Sequence, residues 1–203
     1  MAVTYPVMMP IGTDGKTLIQ SYTLQAVNKI GVTESPFSFA QQIQDYLAER
    51  WEGTITTKPL YGADARNMRG FLNSLRGRKG TFQAAIPQDF ANDYSLFADY
   101  DPYDQYIQIQ DYAATPSFDL DRGIYFQLGT AGDRRLFMMQ EDYNGSTYTQ
   151  NSIFPRVGQG YYTNYRLYTT NPIGTFRLTD NNTAFSVDVT EGHSFSFAFE
   201  SII

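Results

Sequence analysis

Gly174-Thr-Phe-Arg-Leu178, Ala184-Phe-Ser-Val-Asp-Val189 and Phe195-Ser-Phe-Ala-Phe199 decide the fold class. In each run apolar residues recur at every second position, the period of a strand with one buried face. Turn residues separate the runs, Asp180-Asn-Asn182 after the first and Glu191-Gly192 after the second. Phe195, Phe197 and Phe199 would all fall on one face, so the last strand is expected to be central in its sheet.

Outward from there, most of the chain alternates in the same way, with turn residues every ten or so positions, the pattern of a sandwich or barrel. Thr81-Phe-Gln-Ala-Ala-Ile86 reads as a strand stopped by Pro87. Phe37-Ser-Phe-Ala-Gln-Gln-Ile43 follows Ser35-Pro36, and Arg50-Trp-Glu-Gly-Thr-Ile-Thr-Thr57 puts Trp51, Ile55 and Thr57 on one face. These two runs read as antiparallel neighbours.

Helical periodicity appears once. Ala65, Met68, Leu72 and Leu75 are spaced three, four and three apart, which predicts a helix over about 63–76. Asp64 would sit in its first turn and Arg76 in its last, both favourable to the helix dipole, with Gly77 taking a left-handed C-terminal conformation. Trp51, Phe71, Leu72, Leu75, Phe195 and Phe197 are the expected core.

Between Gln88 and Asp121 the composition shifts toward Asp and Tyr, around a short strand Tyr106-Ile-Gln-Ile-Gln110. Alternation resumes at Gly123-Ile-Tyr-Phe-Gln-Leu128 and Arg135-Leu-Phe-Met-Met139, and Asn144-Gly145 is a strong hairpin signal. The expected architecture is mainly β: a sandwich or barrel core from 1–90 plus 171–203 with one α-helix, and a second β-rich inserted domain over 91–170. A length of 203 residues fits one domain carrying such an insertion, at roughly 100–200 residues per domain.

Composition excludes much chemistry. The chain has no cysteine and one histidine, which removes thiol nucleophiles, disulfides and Cys/His zinc sites. Sixteen tyrosines, fifteen phenylalanines and one tryptophan make up 16% of the residues, while charged residues reach 18% against a usual value of about 25%. That balance favours pleated surfaces and extensive partner contacts. A net charge of −6 argues against phosphate-backbone binding as a primary function. Met1–Pro10 lacks the basic start and apolar core of a secretory signal, and no apolar run approaches the roughly 20 residues of a membrane span, so cytosolic synthesis and no membrane partner are expected.

Individual motifs read as structural. Gly12-Thr-Asp-Gly-Lys-Thr17 ends like a phosphate-binding loop, but the position of its first glycine is Pro10, so a hairpin turn is expected. Asp119-Leu-Asp-Arg-Gly123 lacks the bidentate glutamate and glycine spacing of a calcium loop and reads as a solvated turn. His193 has no nucleophile-elbow sequence to serve and reads as a strand-edge or interface residue. Carboxylates are numerous, yet no spacing selects an acid and nucleophile pair. No catalytic, cofactor-binding or metal-ligating residue is therefore assigned, and the chain is not expected to be an enzyme.

Arg69, Arg76, Arg78 and Lys79 form the one basic cluster. Two readings stand: a subunit interface in which guanidinium forks engage a neighbour's carboxylates, and a solvated helix face.

Ser35-Pro-Phe-Ser-Phe-Ala-Gln-Gln-Ile43, Arg50-Trp-Glu-Gly-Thr-Ile55, Phe71-Leu-Asn-Ser-Leu-Arg-Gly-Arg-Lys-Gly-Thr-Phe82 with Pro87, and Asn171-Pro-Ile-Gly-Thr-Phe-Arg-Leu178 with Phe185-Ser-Val-Asp-Val189 together resemble the distal tail proteins of tailed bacteriophages. The order and spacing of these blocks carry the resemblance, over roughly 35–87 and 171–203, while 88–170 departs from it. The resemblance implies a virion structural protein of the tail tip region, made in the host cytoplasm. It would form a closed ring, a hexamer, that joins the tail tube protein to the tip or hub of the baseplate. A second reading makes the chain a carbohydrate-binding module of the virion, with Tyr100, Tyr103, Tyr106, Tyr161, Tyr162 and Tyr165 as a stacking platform and Asp99, Asp101 and Asp104 as acceptors. A polysaccharide hydrolase stands third.

Overall fold

The computed structural model describes residues 3–88, 96–100, 104–111, 120–129, 132–143, 149–158, 162–181, 185–188 and 192–202. The fold is mainly β, as the alternation predicts: two sheets and, among the described residues, a single α-helix. The strands are β1 (Val7–Met8), β2 (Ile19–Glu34), β3 (Gln41–Thr57), β4 (Thr81–Ala85), β5 (Leu96–Tyr100), β6 (Tyr106–Asp111) and β7 (Tyr125–Leu128). They continue as β8 (Arg135–Met139), β9 (Thr149–Phe154), β10 (Tyr162–Arg166), β11 (Ile173–Leu178), β12 (Phe185–Asp188) and β13 (Gly192–Ser201). Helix α1 spans Gly62–Leu75.

The first sheet runs β1-β4-β11-β13-β3-β2, with β12 also paired to β13; all its pairings are antiparallel except β1 with β4. β13 is central as expected, and Phe195, Phe197 and Phe199 are buried. They meet Phe82, Phe176, Trp51 and Ile55 from neighbouring strands, and α1 closes this face with Met68, Phe71, Leu72 and Leu75. Phe176 packs edge-on against Phe199 at 4.7 Å and Phe71 against Phe82 at 5.7 Å. Burial of each such ring contributes about 1.5–3 kcal/mol. Gly53 is needed here, because a Cβ would lie 2.1 Å from the Thr23 carbonyl oxygen and 2.7 Å from the Phe199 ring.

Helix α1 ends one residue earlier than predicted. Arg76 itself takes the left-handed conformation (φ 52°, ψ 50°) and so lies outside the last helical turn, its N–H bonded to the Asn73 carbonyl. Gly77 also has positive φ and passes so close to Asn181 that a Cβ would sit 2.7 Å from its Cα. The reversal therefore needs both residues, and a short 3-10 turn, Gly77–Lys79, leads into β4.

The second sheet runs β10-β5-β6-β9-β8-β7, antiparallel throughout, around Ile107, Ile109, Phe126, Phe137, Met139 and Ile153. β8 and β9 pair antiparallel, Met138 with Phe154 and Met139 with Ile153; the expected Asn144-Gly145 turn lies outside the described residues. Trp51 joins the two sheets: its ring meets Phe154 at 4.7 Å and Tyr125 at 5.7 Å, and its indole N–H donates to the Leu136 carbonyl at 3.0 Å. The Gln88 side chain bridges to the Tyr125 backbone, and the Ile173 N–H donates to Gln127 Oε1 at 3.0 Å.

Two local expectations are corrected. Phe37–Ile43 and Arg50–Thr57 are not neighbouring strands: Gln41–Thr57 is one strand, Ser35–Ala40 lies in the turn before it, and the antiparallel neighbour is β2. Phe37 and Phe39 alternate as they would in a buried strand, but the chain reverses between them. Gly12–Lys16 is a tight turn closed by Gly12 N–H to the Lys16 carbonyl, yet β1 and β2 on either side are not paired, so it is not a hairpin.

Candidate assembly surface

β2 and β3 form a hairpin of sixteen and seventeen residues, far beyond the usual strand length of about 5–6. Its base, residues 52–56 of β3, is paired on both sides, with β13 and with β2. Beyond it, residues 41–48 pair with β2 alone, and both strands there are largely exposed.

Local chemistry shapes this arm. At the tip, Pro36 presets the turn, and Ser35 and Ala40 close it through the Ser35 N–H to Ala40 carbonyl bond at 2.9 Å. Phe39 sits at φ 55°. Further down, Lys29 pairs with Ala48 while Ile30 pairs with Asp45, so Tyr46 and Leu47 form a bulge. Leu47 has φ 55° and its N–H donates to Asp45 Oδ1 at 2.8 Å. Tyr46 folds its ring over Gly31, with the Lys29 ammonium 5.9 Å from the ring centre. A bulge of this kind bends and twists the ribbon locally.

Arg156, from the segment after β9, clamps the arm where it leaves the core. Its backbone N–H and Nε donate to the two carboxylate oxygens of Glu49 at 2.8 and 3.3 Å, and its terminal nitrogen lies 3.2 Å from Asp45 Oδ2. Charge-assisted bonds of this type are stronger than neutral ones. The second sheet thereby fixes the direction of a ribbon that belongs to the first.

The arm is apolar where it should not be for a free chain. Phe37 is 96% exposed and Phe39 75%, and Ile30, Val32, Ile43, Tyr46 and Leu47 are each more than half exposed. Val32 pairs with Ile43, which puts them together on one face, with Ile30 two residues along the same face. Contiguous apolar patches of several hundred Å² on a soluble protein mark interaction sites.

The basic cluster divides. Arg78 is engaged within the chain, 3.3 Å from Glu200, which also holds Arg50 at 2.7 Å. Arg69 reaches His193 Nδ1 at 3.4 Å from the middle of α1, and His193 pairs its backbone with Leu60 in both directions at 2.9 Å. Arg76 and Lys79 are exposed. The four charges thus do not gather into one surface through any contact among the described residues.

Of the tyrosine platform, Tyr103 and Tyr161 lie outside the described residues, as does Asp101. Tyr100 and Tyr162 are directly paired across β5 and β10, and Tyr165 pairs with Ala98. Asp99 pairs with Gln108 across β5 and β6. The Tyr106 hydroxyl accepts from Gln105 at 2.8 Å, and Asp104 accepts from the Gln105 N–H at 2.8 Å. Asp121–Gly123 is a turn, with Arg122 N–H bonded to Asp142; Asp119 lies outside the described set. Where the sheets meet, burial pushes the phenols of Tyr22 and Tyr125 above the ordinary tyrosine value, and Tyr125 adds a smaller electrostatic contribution at Tyr22.

The arm itself escaped the sequence reading, apart from Phe37–Ile43. The sequence does carry a signal for it: a Ser-Pro pair opening a turn over 35–40, with Val32 and Ile43 at equal distances from the turn's centre. No protein-family model matches the chain, and no curated protein matches it.

Proposed function

We propose that this chain is a structural subunit of a bacteriophage tail, of the distal-tail-protein kind, that closes into a ring and joins the tail tube to the tip or hub. The observation that carries the reading is the β2–β3 arm, whose large apolar residues are mostly exposed. The resemblance of residues 35–87 and 171–203 to that family supplies the biological setting, and a mainly β fold, with one α-helix among the described residues, is compatible with it.

The mechanism is geometric. A ring needs two different patches that meet head to tail and close by rotation. Association energy would come from burying aromatic and aliphatic side chains, with a few central anchors carrying most of it. Phe37 and Phe39 at the tip are the natural anchors. No covalent chemistry is required, and the ring acts by presenting one face to the tube and the other to the tip.

Sedimentation of the purified chain, alone and with tail-tube subunits, tests the reading. The expected result is a species of about six times the 23.1 kDa chain mass, or co-sedimentation with the tube. A chain that stays at 23.1 kDa in both settings overturns it.

A further inference from the structure

The first sheet carries a row of alternating charges on the face turned away from its aromatic core. Phe176 and Leu178 flank Arg177, and Phe199 precedes Glu200; all three apolar residues are buried in the core, so Arg177 and Glu200 point to the other side. The two are direct partners across β11 and β13, and Glu52 of β3 is the partner of Glu200 on its other flank. Glu200 is the centre of the row. Its side chain is only 12% exposed, with Oε2 2.7 Å from Arg50 Nη1 and Oε1 3.3 Å from Arg78 Nη2. Arg50 also donates from Nε to Glu52 Oε1 at 2.8 Å, so the charges run Glu52, Arg50, Glu200, Arg78.

Arg177 stands beside this row without joining it. Its Nε is buried and has no hydrogen-bond partner, and its guanidinium forms no ion pair, among the described residues. Glu200, its cross-strand partner, already gives one carboxylate oxygen to Arg50 and the other to Arg78. Three guanidinium groups therefore share two carboxylates. Arg78 is half-exposed, and of its side-chain nitrogens only Nη2 is engaged among the described residues. A buried cationic donor without an acceptor is unfavourable, and an ionised acceptor is the group that relieves it most.

We infer that Arg177 and Arg78, on either flank of Glu200, bind an oxyanion: a phosphate, a sulfate or a carboxylate group. The anion extends the alternation of charge by one acceptor and meets the guanidinium that the row leaves over. Guanidinium groups suit this ligand because their planar fork presents parallel N–H donors to two oxygens of one group. A halide offers one acceptor atom, so oxyanions are preferred over chloride. Glu200 is a positioning residue, holding Arg50 and Arg78 in place before the ligand arrives. The same chemistry has two sources, a free inorganic anion or an acidic side chain of a second copy, which carries a net charge of −6. The site stands whether or not the chain assembles through its arm.

Calorimetric titration of the full chain with inorganic phosphate, in chloride at constant ionic strength, tests this. Arg177→Gln breaks no ion pair among the described residues, Arg78→Gln is a second variant should the first fail to fold, and Arg122→Gln, at an exposed turn, is the control. The wild type and the control are expected to give the same saturable heat. Each of the other two should bind phosphate about tenfold more weakly or worse, the effect of losing one charged hydrogen bond. Light scattering of the same proteins in chloride covers the second source. If phosphate does not bind, but self-association weakens in Arg177→Gln and Arg78→Gln and not in Arg122→Gln, the site takes a neighbour's carboxylate. Phosphate binding that is equal in the wild type and both variants lies elsewhere and overturns the site. So does the absence of phosphate binding together with an association state that neither variant alters.

Discussion

The two halves of β3 make the most instructive contrast in the molecule. Residues 50–57 alternate Trp51, Gly53, Ile55 and Thr57 toward the core, paired with β2 and, over 52–56, also with β13, and covered by aromatic rings. Residues 41–48 continue the same strand with Ile43, Tyr46 and Leu47, yet pair on one side only and face water. The exposed half is the more hydrophobic, with Ile43, Tyr46, Leu47 and Ala48 against Trp51 and Ile55, so composition alone would put the core at the wrong end. What separates them is that the apolar face of 50–57 is covered by other elements, whereas that of 41–48 is left exposed among the described residues.

The sharpest way to break the contrast is at the buried end. Phe199 is fully buried against Phe176 and Phe82. Phe199→Ala removes those contacts and leaves a cavity, and should lower stability by about 3–5 kcal/mol in urea unfolding. A loss below about 1 kcal/mol would mean that this core is far looser than its ring contacts indicate.

A smaller effect is expected where the two halves meet. Arg156→Ala leaves Glu49 and Asp45 without their guanidinium and should cost about 1–2 kcal/mol, since the groups involved are only partly buried. Its stronger consequence should be on the arm. Amide exchange at Ile43 to Glu49 is expected to speed up while exchange at Trp51 to Thr56 stays slow. Equal acceleration in both halves would show that the clamp serves the core rather than the arm.

How much of this was legible beforehand follows the same division. The phenylalanine alternation of β13 and the three-four-three spacing of α1 were readable because burial imposes a period on the residues that supply it. β2 passed unnoticed: Gln20-Ser-Tyr-Thr-Leu-Gln-Ala-Val-Asn-Lys29 carries a weak alternation, and the structure leaves most of it exposed. Phe37 and Phe39 misled for the opposite reason. Their spacing is that of a buried strand, but the turn between Ser35 and Ala40 lifts both into solvent. The Arg156 clamp joins residues more than a hundred positions apart in sequence, which no local pattern encodes.

The smallest expected change in stability carries the most weight for function. Phe37→Ser with Phe39→Ser removes two large side chains that are exposed by 96% and 75%, so neither loses an internal contact of consequence. Surface changes of this kind usually stay within about 0.5 kcal/mol. The unfolding midpoint of the monomer should therefore match the wild type, while self-association measured at the same concentration should weaken. The opposite result, a clear loss of stability with association unchanged, would mean that the arm tip folds back on its own chain in solution. The distal half of β3 would then be an extension of the core and no longer its counterpart.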